Sequence, residues 1–103
     1  MGNPSSYLVV SAALFVIGLL GVLMRRSAIV VLVGVELMLA AANLNFIAFW
    51  SYGPHPEALI GVTFVLFAIG IAAAEAAVGL GIILFANRVF RTIDLPEIRS
   101  LKW

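Results

Sequence analysis

Two carboxylates stand in apolar surroundings where charge is expensive. Glu75 lies near the middle of a long apolar stretch over residues 59–86, in the run Ala72-Ala73-Ala74-Glu75-Ala76-Ala77-Val78-Gly79-Leu80. Glu36 holds the same position in the stretch before it. An ionised side chain at the centre of a bilayer costs roughly 2.5–3.5 kcal/mol on insertion scales. Each glutamate must therefore be protonated, paired with a cation on another chain, or wetted by an internal cavity. A carboxyl group that passes between such conditions takes up and releases a proton, which is the chemistry of a relay. The bland alternative is that the glutamates only glue helices together. Intramembrane hydrogen bonds average about 0.6 kcal/mol, small against the cost of insertion, so glue alone is the weaker reading.

The neighbours of each glutamate follow from helical spacing. Ala40, Asn43 and Ile47 fall on the Glu36 face, at the fourth, seventh and eleventh positions beyond it. Asn43 can donate to or accept from a chain of water in line with Glu36, although Asn43 and Asn45 are first of all candidates for interhelical hydrogen bonds. Ala68, Ala72 and Gly79 line the Glu75 face, leaving room for a close helix or for water. Gly70, Ala74, Ala77 and Gly81 occupy other faces, the pattern of a helix packed on several sides within a larger assembly.

These residues need membrane-spanning elements to hold them. Of 103 residues, 64% are hydrophobic and only 11% charged. The mean hydropathy is +1.19. Soluble domains are about half apolar and about a quarter charged, so a soluble globular class is excluded. There is no cysteine, so the chain has no disulfide, iron–sulfur cluster or thiolate metal site of its own. A net charge of +1 gives no sign of a nucleic-acid partner. The chain reads as a single all-α membrane domain, residues 1–103, with three transmembrane helices over 7–24, 28–50 and 59–86 and a tail over 87–103. About 28 residues in the third span give roughly 42 Å of helix, enough to cross a core of about 30 Å.

The first span carries no charge, and Gly18 and Gly21 share a face that permits close backbone approach. Its length, and the absence of Lys or Arg before it, argue for a retained helix rather than a cleaved signal peptide. Phe46, Phe49, Trp50 and Tyr52 mark an interfacial aromatic belt. His55, between Pro54 and Pro56 in the second loop, has no partner at metal-ligand spacing and reads as a solvated loop residue. Asn87-Arg88 ends the third span. In the tail, Asp94 reads as an N-cap and Pro96 as a first-turn residue, with Leu95, Ile98 and Leu101 on one face of a short amphipathic helix. Arg25 and Arg26 lie in the first loop, while Arg88, Arg91, Arg99 and Lys102 follow the third span. The positive-inside rule then puts the N-terminus outside and the C-terminus inside. Both glutamates fall near mid-membrane, Glu36 roughly 15 Å from Arg26 and Glu75 roughly 20 Å from Arg88.

Four stretches together resemble one family: Gly18-Leu19-Leu20-Gly21, Arg25-Arg26, Gly34-Val35-Glu36-Leu37-Met38-Leu39 with Asn43-Leu44, and Ala72 to Leu80 around Glu75. Over residues 7–103 the chain is similar to the small three-helix subunit of respiratory complex I, subunit K of NADH–quinone oxidoreductase, called 4L in mitochondria. Two glutamate motifs on adjacent helices make the resemblance specific. One departure is Ala40, where many members have Asn one turn from Glu36. The resemblance implies a non-redox subunit of a proton-pumping translocase, in which Glu36 and Glu75 couple quinone reduction to proton translocation. Its implied partners are antiporter-like subunits, subunits adjacent to the quinone module, and the lipid bilayer. Flavin mononucleotide, the iron–sulfur clusters and quinone are implied on those other subunits, with no cofactor or metal in this chain. The implied location is the cell inner (plasma) membrane, or a thylakoid or organellar inner membrane. Three other readings stand beside it. The small subunit of multisubunit Na⁺/H⁺ antiporters has a similar fold, but its members generally lack the glutamate pair. Small multidrug transporters look like four helices with a glutamate in the first. A purely structural assembly subunit would tolerate carboxylate-to-amide changes.

Overall fold

The computed structural model of the chain describes residues 3–91 and 93–96. Three α-helices follow in order: α1 (Ser5–Met24), α2 (Ala28–Ser51) and α3 (Ile60–Phe90). Each is long and apolar enough to cross a membrane. No proline interrupts any of them, and an uninterrupted helix satisfies its own backbone groups where no water can. At 31 residues α3 is about 46 Å long, so it must tilt or overhang a core of about 30 Å. The middle helix of the bundle is α2, packed against α1 on one side and α3 on the other.

The α1–α2 contact is built from small residues spaced by seven. Ser11 and Gly18 are the buried residues of α1, and Gly34, Ala41 and Ala48 are buried along one face of α2. Gly18 meets Gly34 almost backbone to backbone. A Cβ on Gly18 would lie 2.5 Å from the Gly34 carbonyl oxygen, and one on Gly34 would lie 2.6 Å from that of Gly18. Seven residues back along α1 and seven forward along α2, the Ser11 hydroxyl donates to the Ala41 carbonyl at 2.7 Å. Without side chains to keep them apart, the helices touch through main-chain atoms, where dispersion and one interhelical hydrogen bond hold them. Gly21, which shares a face with Gly18, has only ordinary contacts with Val30 and Gly34.

The α2–α3 contact uses large side chains at its ends. The Trp50 indole covers Gly61, where a Cβ would overlap the ring. Its Nε1–H donates to the Ala58 carbonyl at 2.9 Å, closing the connection between the helices. Phe46 stacks on Phe64 with ring centroids 4.4 Å apart. Near the other end Leu32 packs over Gly79. The expected aromatic belt is therefore divided. Phe49 and Tyr52 remain exposed, but Trp50 is partly buried and serves the packing of α3.

The ends differ from expectation in two places. Instead of stopping at 86, α3 runs on to Phe90, because neither Asn87 nor Arg88 opposes helical backbone. It stops where Arg91 turns left-handed (φ 58°) and donates its N–H to the Asn87 carbonyl at 2.7 Å. Beyond it the chain returns to the first loop. Ala28 N–H donates to Ile93 O at 2.9 Å, Leu95 N–H donates to Arg26 O at 3.2 Å, and Ser27 and Asp94 form an isolated antiparallel bridge. Asp94 thus enters a backbone strap and also stands where helix begins, at Leu95 and Pro96, as the N-cap reading expects. Ile98 and Leu101, the rest of the expected tail face, lie outside the described residues.

Candidate functional site

The α1 contact fixes which way Glu36 points. Two residues separate it from Gly34, a rotation of about 200° around the helix axis. With Gly34 held against the α1 backbone, Glu36 faces the opposite side, towards α3. Asn43 and Trp50 follow at intervals of seven on that same side. One face of α2 therefore packs on α1, and the face towards α3 presents Glu36 and Asn43 between its packing residues.

Between the Leu32–Gly79 and Phe46–Phe64 contacts, α2 and α3 leave a groove of about 460 Å³. Glu36, Ala40, Asn43 and Ile47 line it from α2, and Ile69, Ala72 and Ala73 from α3. The whole expected Glu36 face is thus brought into one space. The groove contains a carboxylate and an amide amid aliphatic walls, and the departure at Ala40 falls within it. Glu36 is half-buried there.

Glu75 lies at the same level. From Leu32 to Glu36 is four residues along α2, and from Gly79 back to Glu75 is four along the antiparallel α3. Of the Glu75 neighbours, Ala72 lines the Glu36 groove, and Gly79 packs under Leu32. Glu75 itself is not in the groove; it stands on the flank of α3, exposed in this chain. The reason is geometric: α3 is covered along one seam only. A Cβ on Gly70 or Gly81 would likewise meet open space. Among the described residues neither glutamate has a hydrogen-bonding or ionic partner.

Arg25, Arg26 and Arg88 are exposed and sit at one end of the bundle, where the strap joins residues 26–28 to 93–95. His55 lies in the loop at the other end, its Nδ1 3.2 Å from Glu57 Oε1. Both side chains are more than 70% exposed, so the pair adds little stability. The described residues contain no cluster of three or more His, Cys, Asp or Glu able to hold a metal ion. Without cysteine, the chain does not suit an iron–sulfur cluster.

Three features escaped the sequence reading. Ser11 carries the interhelical hydrogen bond, and its only signal was a hydroxyl seven residues before Gly18. Gly34 is the partner of Gly18 and orients Glu36. Asn45 does not share the Asn43 groove; it borders the α1 side and the aromatic end, with Oδ1 buried and unpaired among the described residues.

Comparison with known proteins finds similarity over nearly the whole chain. The family model described as NADH-ubiquinone/plastoquinone oxidoreductase chain 4L matches residues 6–103. NADH-quinone oxidoreductase subunit K of Geobacillus kaustophilus (strain HTA426) is 49% identical over 98 residues, 95% of this chain and 96% of that protein. Subunit K of Thermomicrobium roseum is 47% identical over 101 residues, 97% and 95% of the two chains. NAD(P)H-quinone oxidoreductase subunit 4L of Leptolyngbya boryana is 47% identical over 97 residues, 94% and 95%. With three apolar helices and a family match from residue 6 onwards, the chain belongs to the NADH-ubiquinone/plastoquinone oxidoreductase chain 4L family.

Proposed function

We propose that the chain is a membrane-embedded subunit of a proton-pumping NADH–quinone oxidoreductase, and that Glu36 and Glu75 carry protons, or the protonation changes, that couple quinone reduction to pumping. The observation that carries this is the placement of two carboxylates at one level of adjacent spans, Glu36 in a groove with Asn43. The first two helices hold no Lys, Arg or His, and α3 has only Arg88 in its last turn, so no cation of the chain's own spans faces either glutamate.

The groove residues suit two protonation states. An ionised Glu36 accepts hydrogen bonds, and a protonated one also donates. The amide of Asn43 does both, seven residues and about 10 Å along the same face. Bridging water spans that distance in a groove of this size, so a proton received at one end can be passed along without breaking the packing. Glu75 on the flank of α3 serves a neighbouring subunit, which also withdraws it from lipid. The neighbours are antiporter-like subunits on one side and subunits next to the quinone module on the other. Flavin, iron–sulfur clusters and quinone belong to them, and redox chemistry occurs there. With Arg25, Arg26 and Arg88 at one end of the bundle, that end faces the cytoplasmic side or its equivalent in a thylakoid or organelle.

Glu36→Gln tests this reading, because the amide keeps size and hydrogen bonding but cannot ionise. Donor-driven quinone reduction and proton pumping are recorded together in membranes, with assembly checked on native gels. Both activities are expected to collapse in an assembled complex. Near-native pumping would instead leave the glutamate with a structural role only.

A further inference from the structure

The level placement of Glu36 and Glu75 depends on how α3 is seated along α2, and one end of that seating is unusually specific. The Trp50 indole occupies the space that any side chain at 61 would fill. Its Nε1–H is committed to Ala58 O at 2.9 Å, just before α3 begins. One turn further into the bundle, Phe46 and Phe64 stack at 4.4 Å. From Trp50 to Leu32 the contacts keep one register, since Gly61 and Gly79 lie as far apart as their partners. A slip of one residue at the Trp50 end would shift α3 by about 1.5 Å and require about 100° of rotation to restore a matching face. Such a rotation would carry Glu75 away from its present flank.

We propose that Trp50 and Gly61 are positioning residues that set the register of α3 against α2 and thereby hold Glu75 level with Glu36. The functional half of this inference rests on the proton-coupling reading. The structural half does not. The indole acts as a wedge with a single seat: glycine at 61 admits it, and the bond to Ala58 O fixes the direction from which it enters. At the opposite end, the backbone strap between residues 26–28 and 93–95 restrains α3 without selecting a side-chain register. The Leu32–Gly79 contact near that end is made by the tip of a flexible side chain, so the tighter selection falls to the ring seated on Gly61.

The test uses the assembled complex in membranes and reads register and coupling separately. The chain has no cysteine, so Leu32→Cys with Gly79→Cys makes its only thiol pair. Disulfide formation under mild oxidation, followed by proteolysis in the second loop, reports the register. This pair is expected to cross-link in the otherwise native chain; failure to do so overturns the register itself. Adding Gly61→Ala is expected to lower the yield about tenfold, and the same substitution in the cysteine-free chain to lower protons pumped per electron by a similar factor. Trp50→Ala with Gly61→Ala removes the Cγ, Cδ1 and Cδ2 atoms that the methyl group would meet and is expected to recover part of both. Unchanged cross-linking in Gly61→Ala, or no recovery in the double variant, overturns the lock. A changed cross-link with unchanged pumping overturns its role in coupling. Should Gly61→Ala fail to assemble, Trp50→Phe alone, which deletes the donor to Ala58 O, is judged by the same two readouts. Because the cross-link involves no proton step, a failed glutamate test and a failed lock give different results.

Discussion

The two faces of α2 are packed by opposite means. Towards α1 it offers Gly34, Ala41 and Ala48, and main chain meets main chain. Towards α3 it offers Leu32, Phe46 and Trp50 near the ends and Glu36 with Asn43 between them. The first interface closes to main-chain contact at Gly18 and Gly34 and ties the Ser11 hydroxyl to Ala41 O, with a groove of about 420 Å³ beside it that contains Asn45 but no carboxylate. The second is a span supported at both ends, leaving a groove of about 460 Å³ where the polar groups stand. The difference teaches that the closest packing and the carboxylate are kept apart on one helix. The close-packed glycine face sets orientation, and the opposite face carries the carboxylate.

Four substitutions probe that division. Gly34→Leu attacks the close-packed face and is expected to have the largest effect. The side chain has no space against Gly18, overpacking costs about 1–3 kcal/mol or more, and the complex should be lost from native gels. An assembled, pumping variant would show that the α1 contact does not orient Glu36. Asn43→Leu attacks the opposite face. Assembly should survive, while proton pumping measured by dye quenching falls severalfold; an equal loss of complex would erase the contrast between the faces. Ser11→Ala removes one interhelical hydrogen bond from the close-packed face, a change of about 0.6 kcal/mol, read as a small drop in the temperature at which the complex dissociates. Ala28→Pro leaves both faces intact and is the gentlest for pumping. Proline suits the first turn of α2 but cannot donate to Ile93 O, so the strap should loosen by about 1 kcal/mol or less, seen as faster proteolysis of the tail with pumping retained.

Much of this division could be read from residues alone, and the remainder has identifiable causes. The three spans were legible because charge is nearly absent from them and gathers at Arg25-Arg26 and Arg88. The Glu36 groove was legible because Ala40, Asn43 and Ile47 repeat with the helical period, and the structure gathers all of them. The partnership of Gly18 with Gly34 was not, since the meeting of two small residues depends on a register between helices that neither helix encodes by itself. Trp50 was assigned to an interfacial belt because an aromatic near a helix end reads the same whether it faces lipid or Gly61. The end of α3 was placed early because Asn87 and Arg88 look like a boundary but leave the backbone free to continue. The strap between residues 26–28 and 93–95 uses main-chain atoms, which leave no side-chain signature. The exposure of Glu75 was not legible because it depends on α3 being covered along one seam only, by α2, which its own small residues on several faces do not reveal.

The seven-residue spacing of α2 has a further consequence. Gly34, Ala41 and Ala48 share a period with Glu36, Asn43 and Trp50, so the two sets keep a constant phase along the helix. Substitutions act on one set at a time, whereas a single inserted or deleted residue between them turns everything beyond it by about 100° and takes both sets out of phase with their partners. The length of this helix, as much as its composition, is therefore under constraint, and variation in length belongs to the loops and the tail.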